Sequence, residues 1–174
     1  MEHLYKFNKF MKYKGNHVTT REYIDKQTGK IYASCRWTIT NKHLWETLNN
    51  YGCIPKKSLV LKFPDISIFN NKNLIRHFIR GYFDGDGCLS YNRLNNTICT
   101  PCCMLIGTKE FLNSIKELLY EYQINVNNIM HKDKRRMTSN TYIFSITNIE
   151  TNIKFLNFLY NNSNVYLDRK YNRY

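Results

Sequence analysis

The sequence predicts an α+β fold in which amphipathic helices alternate with antiparallel hairpins. Apolar residues recur at three- and four-residue intervals over several stretches, most of them preceded by a residue suited to cap a helix. Runs rich in β-branched and aromatic residues occur in pairs on either side of short polar turns. The order is helix, strand, strand, helix over the first part of the chain. Over the second part it is helix, strand, strand, helix, strand, strand, helix.

Residues 2–14 set Leu4, Phe7, Phe10 and Met11 at helical spacing, with Lys6, Lys9 and Lys12 opposite and Gly15-Asn16 as the stop. VTTREYI and KIYASCRWTIT flank a Gly-containing turn at 25–29 and form the first hairpin. Asn41 caps KHLWETLNNYG, whose stripe is Leu44, Trp45 and Leu48 and whose stop is Gly52. Residues 53–70, with Pro55 and Pro64, read as an extended connector. The helix over 72–85 is apolar at Leu74, Ile75, Phe78, Ile79, Tyr82 and Phe83. CLSYNR and TICTPCCMLIG make a second hairpin pair around a polar turn at 94–96. Thr108 caps KEFLNSIKELLYEYQI, and a third hairpin follows from VNNIMHKD and TYIFSIT. Asn148 caps IETNIKFLNFLYNN, and the chain closes on VYLDRKYNRY. The stretches WTITN (37–41) and FSITN (144–148) each end a strand and open a helix, which marks an internal duplication.

Lys and Arg number 26 against 13 Asp and Glu, a formal charge of +13. This excludes an acidic interaction tail and points to a polyanionic partner. Twenty-three Asn and a single Ala, Ala33, indicate AT-rich codon usage, so the placement of the charge matters more than its sum. The excess is +7 over residues 1–70 and +6 over 71–174, so it is spread over both halves and is not a basic tail. No apolar run approaches the ~20 residues of a membrane span. The N-terminal stretch lacks the apolar core and cleavage site of a signal peptide, so an intracellular protein is expected. In a reducing compartment the six cysteines are free thiols or metal ligands rather than disulfides. CTPCC at 99–103 has half the spacing of a zinc site and no second half follows, so zinc is disfavoured.

The densest chemical feature is FIRGYFDGDG at 78–87, with Asp84 and Asp86 at the end of an apolar helix. A C-cap turn accounts for Gly87 but not for paired acids in a basic chain. An EF-hand loop also begins D-x-D, but Cys88 and Leu89 stand where it needs an oxygen ligand and a glycine. Gly81 and Gly85 are four apart, so they share one helical face and admit close approach of another backbone.

IRGYFDGDG at 79–87 resembles the signature of the LAGLIDADG homing endonucleases. The element order over 72–174 is similar to that family's α-β-β-α-β-β-α domain, whose antiparallel sheet is saddle-shaped. The resemblance implies a Mg²⁺-dependent, site-specific DNA endonuclease of the homing type that makes a double-strand break. It places Asp86, with Gly85 before it, at the metal, and gives Asp84 a structural, capping role. Gly81 and Gly85 would pack paired motif helices. Lys170 in YLDRKY and Lys57 in the connector would stabilise charge on the phosphate. Strand side chains would read base edges in the major groove. Steps of two from Asp86 put Ser90 and Asn92 on that face, followed by Arg93 and Asn95. Arg36 and Lys30 belong to the first hairpin, and the basic turn with Lys132, Lys134, Arg135 and Arg136 suits phosphate contact.

A cleaving member of the family has two motif helices, and this chain has one. Residues 1–70 resemble the back half of a first domain without its motif helix, plus the connector; residues 71–174 resemble a complete domain. The implied partners are double-stranded DNA and either a second copy of the chain, as a homodimer, or a missing companion domain. The alternative is a catalytically silent module of the same fold, an intron-RNA maturase or a DNA-binding regulator.

Overall fold

The structure, a computed structural model, describes residues 2–15, 17–94, 97–127, 129–133 and 140–174. The chain divides into two compact units, Met1–Trp45 and Glu46–Tyr174. The division falls ahead of the connector, which goes with the second unit: Leu61, Phe63 and Phe69 pack against that unit's core.

In the first unit, helix α1 (Glu2–Phe10) lies on a two-stranded antiparallel ribbon of β1 (Val18–Ile24) and β2 (Ile31–Trp37). Val18 faces Trp37 and Ile24 faces Ile31, with no slip between them. The turn is held by Asp25, whose carboxylate accepts from the amides of Gln27 (3.0 Å) and Thr28 (2.7 Å). Those bonds hold the Asp25 pKa below its ordinary value. Phe7 packs edge-on against Trp37 at 5.0 Å, and the Trp37 indole donates to Asn8 at 2.7 Å. Asn41 caps α2 (Lys42–Asn50) as expected, its side-chain oxygen accepting from the Leu44 amide at 2.8 Å.

The second unit takes the end of α2 from Glu46 and then 3-10 turns at Lys57–Leu59 and Ile66–Ile68. It continues through α3 (Asn73–Asp86), β3 (Cys88–Leu94), β4 (Thr97–Gly107) and α4 (Lys109–Glu121). Strands β5 (His131–Lys132) and β6 (Tyr142–Ile146) lead to α5 (Ile149–Tyr160) and the short α6 (Asp168–Tyr171). The α-β-β-α-β-β-α order is the one the sequence predicts. The four strands form one antiparallel sheet in the order β3-β4-β6-β5.

Side chains alternate across this sheet with a period of two. Leu89, Cys103, Leu105, Phe144 and Ile146 share one face and are buried with Ile79 and Phe83 of α3, Phe111, Ile115 and Leu119 of α4, and Phe155 and Leu159 of α5. Ser90, Met104, Ile143 and Ser145 occupy the other face and are only half-buried. Asn152 pins α5 to the sheet from inside: fully buried, it accepts from the Cys103 amide (3.1 Å) and donates to the Ile146 carbonyl (2.8 Å). Thr108 and Asn148 cap α4 and α5, accepting from the amides of Phe111 (3.2 Å) and Thr151 (3.0 Å).

The third hairpin is shorter than the sequence suggests. Among the described residues its first strand pairs only at His131 and Lys132, opposite Ile143 and Tyr142. Val126, read as the start of that strand, is instead buried in the core without a ladder partner among the described residues. Cys102 and Cys103 are buried free thiols, and burial pushes the Cys103 pKa up to about 12. Among the described residues no helix is long and apolar enough to cross a membrane.

Candidate active site

Helix α3 separates its polar groups into those spent on the fold and those left over. Arg80 is buried, and its guanidinium donates to the carbonyls of Val165 (2.9 Å) and Leu159 (3.1 Å). Asp84 is also buried: one carboxylate oxygen accepts from the Tyr160 hydroxyl at 2.6 Å, the other from the Leu167 amide at 3.0 Å. Burial first, and this hydrogen bond second, push the Tyr160 pKa well above its ordinary value. Asp84 therefore ties the motif helix to the C-terminal segment of the chain.

Lys170 does the same from the opposite side. Only 2% exposed, its ammonium donates to the carbonyls of Phe83, Asp84 (3.1 Å) and Gly87, and lies over the Phe83 ring at 4.7 Å. The sequence casts this lysine as a basic group facing phosphate. The structure sets it inside the last turn of α3, where the terminal carbonyls and the negative end of the helix dipole favour a cation. Burial lowers its pKa, and the Asp84 carboxylate opposes that shift. Gly87 follows where only glycine fits, since a Cβ there would come 2.6 Å from the Phe83 carbonyl.

Asp86 is left over. It is exposed at the end of α3 and lines a cavity of about 250 Å³ together with Lys57, Tyr82, Asp133 and Thr141. Tyr82 donates to the Ile106 carbonyl at 2.6 Å, and burial together with the Asp86 charge raises its pKa to about 12. It stays a neutral donor across the physiological range. Lys57 follows Lys56, which holds a left-handed backbone conformation (φ 57°) that turns the chain at this point. Two larger cavities, about 310 and 440 Å³, lie beside α5, and neither is lined by residues 78–87.

The glycine face of α3 is open. A Cβ added at Gly81 or Gly85 would meet nothing within 4 Å, and Leu74 on the same side is 45% exposed. Ser90 lies on the non-core face of the sheet, its hydroxyl donating to the Cys102 carbonyl at 3.4 Å. Asn92 and Arg93 sit on β3 at a register shift, opposite Thr100 and Ile98. Lys132 is exposed on β5, and Arg36 and Lys30 are exposed in the first unit. Asn95, Lys134, Arg135 and Arg136 lie outside the described residues.

Mg²⁺ commonly takes one or two carboxylates, with waters and substrate phosphate completing its shell. An exposed Asp86 with the Gly85 carbonyl in the same turn fits that hard, oxygen-only donor set. Among the described residues no cluster of three or more His, Cys, Asp or Glu could hold a metal. Sequence reasoning missed Asp133, which is hidden inside the basic run HKDKRR. It also missed Tyr82, Tyr160 and Arg80, whose apolar or basic surroundings in the sequence give no sign of their partners.

An α-β-β-α-β-β-α unit whose first helix is locked by one acid and presents a second defines a domain built to display a carboxylate. The family model described as "LAGLIDADG-like domain" matches residues 73–159, half of the chain, and the chain belongs to that family. Similar solved structures include the homing endonuclease I-TnaI, with 18% identity and a TM-score of 0.34 over 48% of this chain and 56% of that one. Another is the LAGLIDADG meganuclease I-AabMI bound to uncleaved DNA, with 14% identity and a TM-score of 0.36 over 89% and 68%. The chain thus spans little more than half the length of I-TnaI. None of the curated proteins matches it.

Proposed function

We propose that this protein is a Mg²⁺-dependent, site-specific DNA endonuclease of the homing type, working as a pair of motif helices. The observation that carries this reading is the contrast within the motif: Asp84 is consumed by the fold, while Asp86 stands exposed beside an open glycine face. Asp86 and the Gly85 carbonyl would hold the metal. When bound, Mg²⁺ supplies charge neutralisation at the phosphate and a water of lowered pKa. Lys57 offers the phosphate a cation from the same cavity, and Asp84 and Lys170 fix where the helix ends. Ser90, Asn92, Arg93 and Lys132 on the sheet, and Arg36 and Lys30 of the first unit, would supply the DNA contacts.

The stretch 1–174 holds one such carboxylate, so a double-strand break calls for a second motif helix, from another copy or from a companion domain, the Gly81 and Gly85 faces meeting at the junction. Residues 1–70 stand in this reading as a partial half-domain without a motif helix among them, plus the connector. The single carboxylate also supports a second reading, a silent module that binds DNA or intron RNA without cutting.

A nicking assay on a randomised plasmid target library, with Mg²⁺ and with the Asp86→Asn variant, separates the two. Mg²⁺-dependent cleavage lost in the variant supports the endonuclease. Wild type and variant equally inert, both binding nucleic acid in a salt-sensitive way, support the silent module. A monomeric mass on the cleaved target sinks the paired-helix version.

A further inference from the structure

The first unit carries a surface that the cavity at Asp86 does not use. In the β1–β2 ribbon, Tyr23 is directly opposite Tyr32, Arg21 opposite Ser34 and Thr19 opposite Arg36. Directly paired residues and every second residue share a face, so these six side chains form one surface. The other face carries Val18, Trp37, Glu22 and Ala33, and α1 closes it where Phe7 meets Trp37. All six residues of this face are exposed.

Its chemistry is specific. The two tyrosine rings are stacked, 5.5 Å apart at 22°, yet remain 56% and 43% exposed. Arg21 and Arg36 are exposed, and the face holds no acid; the ribbon's one glutamate, Glu22, points to the opposite side. Each two-residue step along a strand is ~7 Å, so the face reads as an aromatic platform followed by two cations in a row. Exposed aromatic rings on strands beside arginines bind unpaired nucleotides: a base stacks on the ring and the backbone runs past the charges. In a duplex the bases are already stacked and leave no π-face for the tyrosines. Of the four hydroxyls on this face, those of Thr19 and Ser34 are turned back to the Arg36 and Arg21 carbonyls at 3.5 Å, so their protons are not offered to a ribose 2′-OH.

We propose that the Tyr23–Tyr32 platform with Arg21 and Arg36 is a binding site for single-stranded DNA. It shares Arg36 with the duplex contacts proposed above but does not depend on cleavage at Asp86, and the test keeps the two apart by excluding metal. Fluorescein-labelled dT15, U15 and a 15-base-pair duplex are titrated with the full chain in EDTA, followed by anisotropy.

For dT15, Tyr23→Val or Tyr32→Val should weaken binding roughly 5- to 100-fold, with duplex affinity unchanged. Tyr23→Phe and Tyr32→Phe keep the rings and should bind within about twofold of wild type. Arg21→Gln and Arg36→Gln should each lower the salt slope for dT15 by about 0.7. Equal dT15 affinity in the Val variants and wild type overturns the site, as does tighter binding of U15 than of dT15. Should circular dichroism show that the Val variants lose the hairpin, the arginine variants decide. An unchanged salt slope in both overturns the proposal.

Discussion

Asp84 and Asp86 are two residues apart in one helix, and their replacement should have opposite consequences. Asp84→Ala deletes the acceptor of two buried donors, the Tyr160 hydroxyl at 2.6 Å and the Leu167 amide at 3.0 Å. Hydrogen bonds to a charged group contribute about 1.5–3 kcal/mol each, and an orphaned buried donor adds its own desolvation cost. The loss should be about 3–5 kcal/mol. For a unit of this size each kcal/mol moves the melting temperature by roughly 4 °C, so a drop of about 10–20 °C is expected. Asp84→Asn keeps one acceptor for Leu167 and offers an amide to a turned Tyr160 hydroxyl, so it should cost only about 1 kcal/mol. Asp86→Asn changes an exposed group and should melt within about 2 °C of wild type while removing cleavage. Thermal unfolding by circular dichroism, with nicking of the same samples, reads all three. Asp84→Ala melting like wild type, or Asp86→Asn melting as low as Asp84→Ala, would refute the division of labour between the two acids.

The glycines of α3 extend the contrast. Gly87→Ala forces a Cβ against the Phe83 carbonyl and ring, at 2.6 and 2.4 Å, and should cost about 2 kcal/mol in urea unfolding. Gly85→Ala meets open space and should stabilise the monomer by up to about 1 kcal/mol through helix propensity, while reducing any dimer mass measured by light scattering. His77 sets a pH dependence. Burial first, then the charges of Arg80 and Arg76, lower its folded pKa below the ordinary 6.5. Between the folded value and 6.5 the unfolded chain binds a proton that the folded one does not, so stability falls as pH drops through that window. His77→Gln should flatten this acid-side loss; parallel urea midpoints for both proteins between pH 7.5 and 5 would remove His77 as its source.

What the sequence made legible was local. Asn41, Thr108 and Asn148 cap helices because a side-chain oxygen three residues before an amide needs no distant partner. The second hairpin was readable because its turn and its alternation agree. The third was over-read, because Val126 begins its first strand in the sequence pattern but enters the core instead. The connector's attachment to the second unit was invisible, since it depends on Leu61, Phe63 and Phe69 finding a core assembled from residues far along the chain. The acids of the motif were visible, but not what divides them. Tyr160 and Leu167 reach Asp84 across 76 and 83 residues, and nothing in the spacing of FIRGYFDGDG announces them.

The two lysines show how similar sequence positions acquire different physics. Each follows a helix, and from sequence each is a cation placed for phosphate. Lys170 is enclosed by the helix terminus it serves, and its donated protons go to three backbone carbonyls. Breaking those bonds to reach a substrate would reopen the last turn of α3 and displace the carboxylate that Lys170 helps to hold. Lys57 has no such tie: it is exposed, follows a left-handed turn at Lys56, and shares the 250 Å³ cavity with Asp86. A cation that must meet a phosphate has to remain in contact with solvent until the phosphate arrives. A cation that must fix a helix end must not, because water would compete for the same carbonyls. Burial therefore sets Lys170 at the helix end, and in the reading proposed above Lys57 is the lysine left to meet the phosphate near Asp86.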